Sequence, residues 1–310
     1  MLSSLQSEKK RRELNEKLIK YTLILAAAIS ILTTFGILFS ILFEAIEFFQ
    51  LRSFWYFLTG TIWSPGVANS QFGALPIFAG TFVITIIALL VAIPIGLGSA
   101  IYMSEYASPK FRDYLKPILE ILAGIPTVVY GFFAAITVAP LVVKVAAFFG
   151  LEATFNSALA SGIVMGIMII PLISSLSDDV IRAVPDSQRK AAFALGMTHG
   201  ETIKNIVIPS AMPGIISASL LALSRALGET MIVVMAAGLR PNLSWNPLED
   251  MTTVTVTIVN SLVGDFEFNS PETLSAFALG LMLFIVTLIL NMISLSMIRK
   301  FKEKYKVNTL

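Results

Sequence analysis

Six long apolar runs constrain what this chain can fold into. About 20 consecutive, mainly apolar residues are enough for an α-helix to cross the hydrocarbon core of a bilayer. Only 14% of the residues are charged, well below the roughly 25% of an ordinary soluble domain. The first run is too long for a signal peptide, whose apolar part has about 7 to 15 residues, so we expect it to be retained. We therefore predict an all-α polytopic membrane protein with six transmembrane helices, at residues 21–43, 76–103, 118–143, 156–177, 214–238 and 275–298.

Lysine and arginine predict the direction of these spans. Strict alternation places the N-terminal tail, the loops after spans two and four, and the C-terminal tail on one side. Those four segments hold 18 of the 22 Lys and Arg residues, and these residues favour cytoplasmic segments. We therefore expect a multi-pass protein of a prokaryotic cytoplasmic (inner) membrane with both termini in the cytoplasm.

Glycine and proline mark where the predicted helices approach each other or bend. Span four contains "GIVMG", Gly162 to Gly166, and small residues at this spacing let helices pack closely. Spans two and three contain "AIPIGLG" and "AGIPTVVYG". Proline and glycine are tolerated in spans where neighbouring groups satisfy the freed backbone. We expect close packing at span four and bends in spans two and three.

The most specific pattern follows span four, in residues 184–214, "VPDSQRKAAFALGMTHGETIKNIVIPSAMPG". It predicts two short helices joined by a turn. Asp186 or Ser187 is the expected N-cap of the first helix, and Gly196 is expected to end it. The alanines and the phenylalanine between these two limits give the first helix a small apolar surface, and we expect another protein surface to cover it. Either the spans of this chain or a partner protein could supply that cover.

The second helix has its own start and stop residues. Thr198 and Glu201 fit a T-x-x-E capping box, and Pro209 is expected to end the helix.

Residues 184–214 resemble the EAA loop of ABC-importer permeases. The pattern of that family is E-A-A, three residues, Gly, nine residues, and I-x-L-P; here Lys190 replaces the usual Glu and Ile208 replaces the Leu. The resemblance implies a coupling helix at 186–196 that docks in a groove of an ATPase subunit. The residues it assigns to ATPase coupling are Lys190, Ala191, Ala192, Phe193, Gly196, Ile206 and Pro209.

Four further stretches, "FLTGTIWSP", "FGALPIFAGT", "LAGIPTVVYGFF" and "SRALGETMIVVMAAG", resemble the PstC-type permease subunit of phosphate-specific ABC importers. The resemblance implies the type I importer permease (MetI-like) fold and transport of inorganic phosphate by alternating access. The implied partners are a PstA-type permease, a PstB-type ATPase dimer and a PstS-type phosphate-binding protein, together with phosphate and membrane lipid but no nucleic acid. A permease for another oxyanion, or a secondary transporter or channel, remains an alternative.

On this interpretation the chain has five parts. They are a basic cytoplasmic tail at 1–20, the first transmembrane helix at 21–43, an outer loop at 44–75, the permease core at 76–298 with its coupling loop at 184–214, and a cytoplasmic tail at 299–310.

Several kinds of chemistry find no support in the sequence. A phosphate-cradling loop needs a Gly-Lys pair, and none occurs, so ATP and Mg are expected on the partner ATPase and no cofactor in this chain. The chain has no cysteine, and its single histidine is His199. Asp178 and Asp179 are adjacent at the end of span four, where solvation at the helix end explains them. We therefore expect a transport subunit, not an enzyme.

Span five carries two charges within its predicted limits. Arg225 and Glu229 are four residues apart, and residues at that spacing lie on one helix face. A charge at mid-bilayer is costly, so we expect the two side chains to pair. The pair could be purely structural, or it could border the phosphate pathway together with Ser224. A partnered arginine would hold phosphate weakly, as conduction requires.

Overall fold

The computed structural model describes residues 2–66, 69–263 and 269–304, with side chains described between residues 15 and 300. The described chain is helical apart from one antiparallel hairpin of two-residue strands. Its elements are α1 (Leu2–Leu51), α2 (Phe54–Thr59), β1 (Trp63–Ser64), β2 (Gln71–Phe72), α3 (Leu75–Ile101), α4 (Pro109–Ala123), α5 (Thr127–Phe133), α6 (Ala139–Phe148), α7 (Ala158–Arg182), α8 (Asp186–Ala194), α9 (His199–Thr202), α10 (Ile208–Leu227), α11 (Met231–Ala236), α12 (Val254–Leu262) and α13 (Pro271–Lys304). π-Helical turns at Tyr102–Tyr106, Ala134–Val138 and Ile203–Val207 lie within this helical path.

Six segments of the described chain are long and apolar enough to cross a membrane, as the sequence predicts. They are Asn15–Leu51, Leu75–Tyr106, Thr127–Phe148, Ala158–Arg182, His199–Leu227 and Pro271–Lys300. The predicted tail residues 305–310 lie outside the described residues.

The predicted limits of the third span, 118–143, are wrong. α4 ends at Ala123, and a new helix begins at Thr127 after Gly124 and Pro126. Proline disfavours a helical conformation in the residue before it, so the apolar run is divided into two helices at this point. α4 packs along α7 as a separate element, and the third span runs through α5 and α6.

The predicted limits of the fifth span, 214–238, are also wrong. The helical path begins at His199 and ends at Leu227. Gly228 follows, and the chain turns before α11 begins at Met231. α11 packs against α5 and α7, so this apolar stretch folds back on the bundle instead of extending α10.

α3 and α7 form the centre of the bundle. A Cβ atom placed on Gly162 would lie 2.7 Å from the Ile87 Cβ, and one on Gly166 would lie 2.8 Å from the Val91 Cβ. Those distances are shorter than van der Waals contact, so glycine lets the two helices approach. The close packing predicted for "GIVMG" is therefore confirmed.

The end of the bundle opposite α8 is closed by an aromatic cluster. Phe48 from the last turns of α1 meets Phe57 of α2 and Phe72 of β2 at ring-centroid distances of 5.4 and 5.5 Å. Trp63 joins this cluster.

At the same end of the bundle, Glu249 is held by two asparagines. Hydrogen bonds donated by Asn242, and to a smaller extent by Asn246, lower the pKa of Glu249. That carboxylate stays ionised and holds the loop before α12.

Candidate functional site

The first helix of the predicted coupling loop is α8, and it ends as expected. Gly196 has a φ of +80°, a conformation that costs glycine little. The Gly196 N–H donates to the Phe193 carbonyl and the Met197 N–H to the Ala192 carbonyl. These bonds satisfy carbonyls at the helix end that would otherwise lack partners.

The predicted N-cap of α8 is wrong by one residue or more. Pro185 occupies the N-cap position, without a side-chain hydrogen bond, and Asp186 is the first helical residue. The Asp186 carboxylate instead accepts a hydrogen bond from Arg189 Nη1 at 3.3 Å, so it does not cap the backbone.

The capping box of α9 is present. The Glu201 N–H donates to Thr198 Oγ1, and the Thr198 N–H donates to Glu201 Oε2 at 2.8 Å. Pro209 does not end the second helix, contrary to prediction. The helical path continues through the π-helical turn Ile203–Val207, and Pro209 lies in the first turn of α10, where a missing N–H is tolerated.

The apolar surface of α8 is only partly covered by this chain. Ala192 faces inward and is 3% exposed, whereas Leu195 is 84% exposed and Phe193 is about half exposed. Lys190 and Ala191 are also exposed. Of the remaining residues assigned to coupling, Ile206 and Pro209 are half-buried. The cover proposed from this chain's own spans therefore extends to Ala192 but not to its exposed neighbours.

Arg189 attaches α8 to the membrane helices. Its Nη2 donates to Glu105 Oε1 at 2.9 Å and to the Ile181 carbonyl at 3.0 Å. Its Nη1 donates to the Val184 carbonyl. His199 Nε2 lies 3.2 Å from the Glu105 backbone carbonyl oxygen. Arg189 and Glu105 are 84 residues apart, and no local sequence pattern relates them or marks either one as functional.

Asp178 and Asp179 are ion-paired rather than simply solvated. Arg112 Nη2 lies 2.8 Å from Asp178 Oδ2, and Lys116 Nζ lies 2.7 Å from Asp179 Oδ1. Asp178 is 1% exposed, so the solvated interpretation is wrong for that residue. The reason is that α4 packs along the end of α7 and covers it.

Arg225 and Glu229 do not form the predicted pair. Arg225 lies exposed in the last turn of α10, and Gly228 ends that helix before Glu229 can continue its face. Glu229 is 8% exposed and accepts hydrogen bonds from the N–H groups of Met231 and Ile232 at 3.0 and 3.3 Å. It therefore caps α11, where a carboxylate is favourable.

Arg225 is left available for another contact. Among the described residues it takes part in no hydrogen bond or ion pair, although it lies within electrostatic reach of the Tyr130 hydroxyl. Ser224 beside it is half-buried. An exposed guanidinium at the end of an apolar helix needs a wet cavity or a partner protein, because lipid would penalise it.

The sequence of the bundle identifies its family. The sequence profile of the family described as the binding-protein-dependent transport system inner membrane component matches residues 92–306. The chain belongs to this family. It is the membrane permease subunit of an ABC transporter, without a catalytic role of its own, and ATP hydrolysis belongs to a separate subunit.

Curated relatives and solved structures agree with this assignment. A probable ABC transporter permease protein from Bacillus subtilis is 34% identical over 251 residues, covering 81% of this chain and 78% of that protein. The phosphate transport system permease protein PstC of Mesorhizobium japonicum is 34% identical over 297 residues, covering 89% and 88%.

A chain from the crystal structure of a bacterial alginate ABC transporter, in complex with an alginate pentasaccharide-bound periplasmic protein, is similar in fold. Its TM-score is 0.61 at 15% sequence identity, over 93% of this permease and 96% of that chain. The type I ABC importer permease fold predicted from the sequence is therefore confirmed.

Proposed function

We propose that this permease carries inorganic phosphate into the cell as one half of the membrane pathway of an ATP-driven importer. The observation that supports the substrate most directly is the similarity, over nearly the whole chain, to permeases of phosphate transport systems. Its proposed partners are a second, PstA-type permease, two PstB-type ATPase subunits and an external PstS-type phosphate-binding protein. The second permease completes the pathway, and the ATPase binds the ATP and Mg.

The orientation belongs to the same proposal. α8 and both termini lie in the cytoplasm, and the aromatic cluster and the Glu249 loop lie outside. The split of basic residues supports this orientation. The exposed surface of α8, with Lys190, Phe193 and Leu195, then docks on the ATPase. The division into tail, first helix, outer loop and core stays a prediction.

Arg225 is the residue we propose to meet phosphate within this subunit. Its guanidinium is exposed and without an ion-pair partner among the described residues, and it presents a planar set of donors that suits tetrahedral oxyanions. The Glu229 carboxylate, four residues further along the chain, accepts hydrogen bonds from the start of α11 and does not pair with the arginine. Because the exposed guanidinium keeps contact with water, it gives phosphate a weak site from which the anion can leave, as conduction requires.

Uptake of radiolabelled phosphate in cells that lack the native gene tests this proposal. Arg225→Gln is expected to reduce the uptake rate by about tenfold or more, since the loss of one charged hydrogen-bonding group costs roughly 1.5 to 3 kcal/mol. Arg225→Lys should restore uptake in part, because lysine keeps the charge without the planar fork. Glu229→Gln retains a side-chain oxygen that can accept the hydrogen bonds from α11. A lower rate of phosphate uptake in this variant would therefore report the loss of the negative charge.

Arg240→Gln is the matched control, because Arg240 is exposed in the loop after α11 and outside the spans. Membrane content is measured for each variant by immunoblot. An Arg225→Gln permease that reaches the membrane and takes up phosphate at the wild-type rate would contradict the site assignment. Competition by sulfate at equal concentration would instead favour the alternative of another oxyanion.

A further inference from the structure

The coupling helix α8 has few attachments to the membrane-spanning helices. Its backbone packs on α9 and on the π-helical turn Ile203–Val207, and Gln188 accepts a hydrogen bond from Ser210 of α10. Among the hydrogen bonds of the described residues, those of Arg189 join α8 to the ends of both span two and span four. The backbone at 183–185 links α8 directly to span four, whereas its contact with span two is made by the Arg189 side chain.

The Arg189 attachment is held in one geometry. The guanidinium is planar, and its donors lie in a fixed fork. Nη1 donates to the Val184 carbonyl in the loop after α7, and Nη2 donates both to the Ile181 carbonyl in the last turn of α7 and to the Glu105 carboxylate. The Glu105 side chain is 5% exposed, against 16% for Arg189. Little water reaches this pair.

Glu105 receives contacts from both helices of the coupling loop. Its side chain binds Arg189 of α8, and its backbone carbonyl accepts from His199 at the start of α9. The ring of Tyr106, the next residue, packs edge-on against His199 at 5.1 Å. Glu105 lies in the π-helical turn Tyr102–Tyr106, and such turns occur frequently at functional sites.

We propose that the Arg189–Glu105 pair is the joint through which movement of α8 reaches span two, with Arg189 as a positioning residue for transport. The neighbouring Lys190 is exposed and free to contact the ATPase. Lys190 is thus exposed toward the partner, and the adjacent Arg189 contacts the membrane helices. This inference rests on the proposed function, because it requires a partner ATPase that drives transport.

The test uses the complete transporter in proteoliposomes and measures anion imported per ATP hydrolysed. Arg189→Met alone would leave Glu105 buried without a partner, so the decisive variant is the double change Arg189→Met with Glu105→Met. Replacing both partners of a buried ion pair is often neutral for stability. The ATPase is expected to stay bound and to hydrolyse ATP, while anion imported per ATP falls about tenfold. Arg189→Lys should give an intermediate ratio, because lysine retains the charge but cannot make all four hydrogen bonds.

The matched control is Arg182→Met, which removes an exposed arginine from the last turn of α7 and should leave the ratio unchanged. A double variant that imports as much anion per ATP as the wild type would overturn the proposal. So would a double variant that fails to assemble while Arg182→Met assembles, because the pair would then serve folding. The ratio is measured with whichever oxyanion the wild-type complex imports, so an error in the proposed substrate is recognised separately.

Discussion

At the scale of single residues, burial separates the two neighbouring ion pairs at the end of α7. Asp178 is 1% exposed and pairs with Arg112, so Arg112→Met leaves a buried carboxylate unpaired. Breaking such a pair typically costs about 3 to 5 kcal/mol. We expect the midpoint temperature of unfolding, measured on purified protein in detergent, to fall by several degrees, and Asp178→Leu in the same chain to restore most of it.

Lys116→Met is the matched control for this substitution. It breaks the adjacent pair with Asp179, both of whose side chains are substantially exposed, and exposed pairs contribute about 1 kcal/mol or less. Equal losses of thermal stability in Arg112→Met and Lys116→Met would show that burial does not distinguish the two pairs.

At the scale of elements, the turn between α8 and α9 depends on one backbone conformation. A Cβ at Gly196 or at Gly200 would meet no atom within 4 Å, but only Gly196 has a positive φ. A β-branched side chain is strained in that region, at a cost of roughly 1 to 2 kcal/mol. We expect Gly196→Val to reduce co-purification of the ATPase and Gly200→Val to preserve it. Equal co-purification would mean that docking tolerates a different turn.

At the scale of the whole molecule, the predicted orientation can be tested directly, because the chain has no cysteine. Single cysteines at exposed positions 55 and 152 are expected to react with a membrane-impermeant thiol reagent in intact cells. A cysteine at exposed position 110 should react only after the membrane is opened. Labelling at 110 from outside would reverse the orientation that the basic residues predict.

The sequence by itself determined the number of spans, the close packing at Gly162 and Gly166, the stop at Gly196 and the capping box of α9. Each of these depends on local composition or spacing, whereas the permease fold was implied by the family resemblance. These properties are readable because an apolar run in lipid must satisfy its own backbone, which leaves helices as the available form.

Only the tertiary structure decided which charged groups meet. The sequence predicted that Arg225 pairs with Glu229, but Gly228 ends the helix and Glu229 caps α11 instead. It placed Asp178 in solvent, but α4 folds back along α7 and brings Arg112 to it. Arg189 and Glu105 lie 84 residues apart. Side-chain pairing across such separations depends on how helices turn and pack, and that information is not contained in the spacing along any one helix.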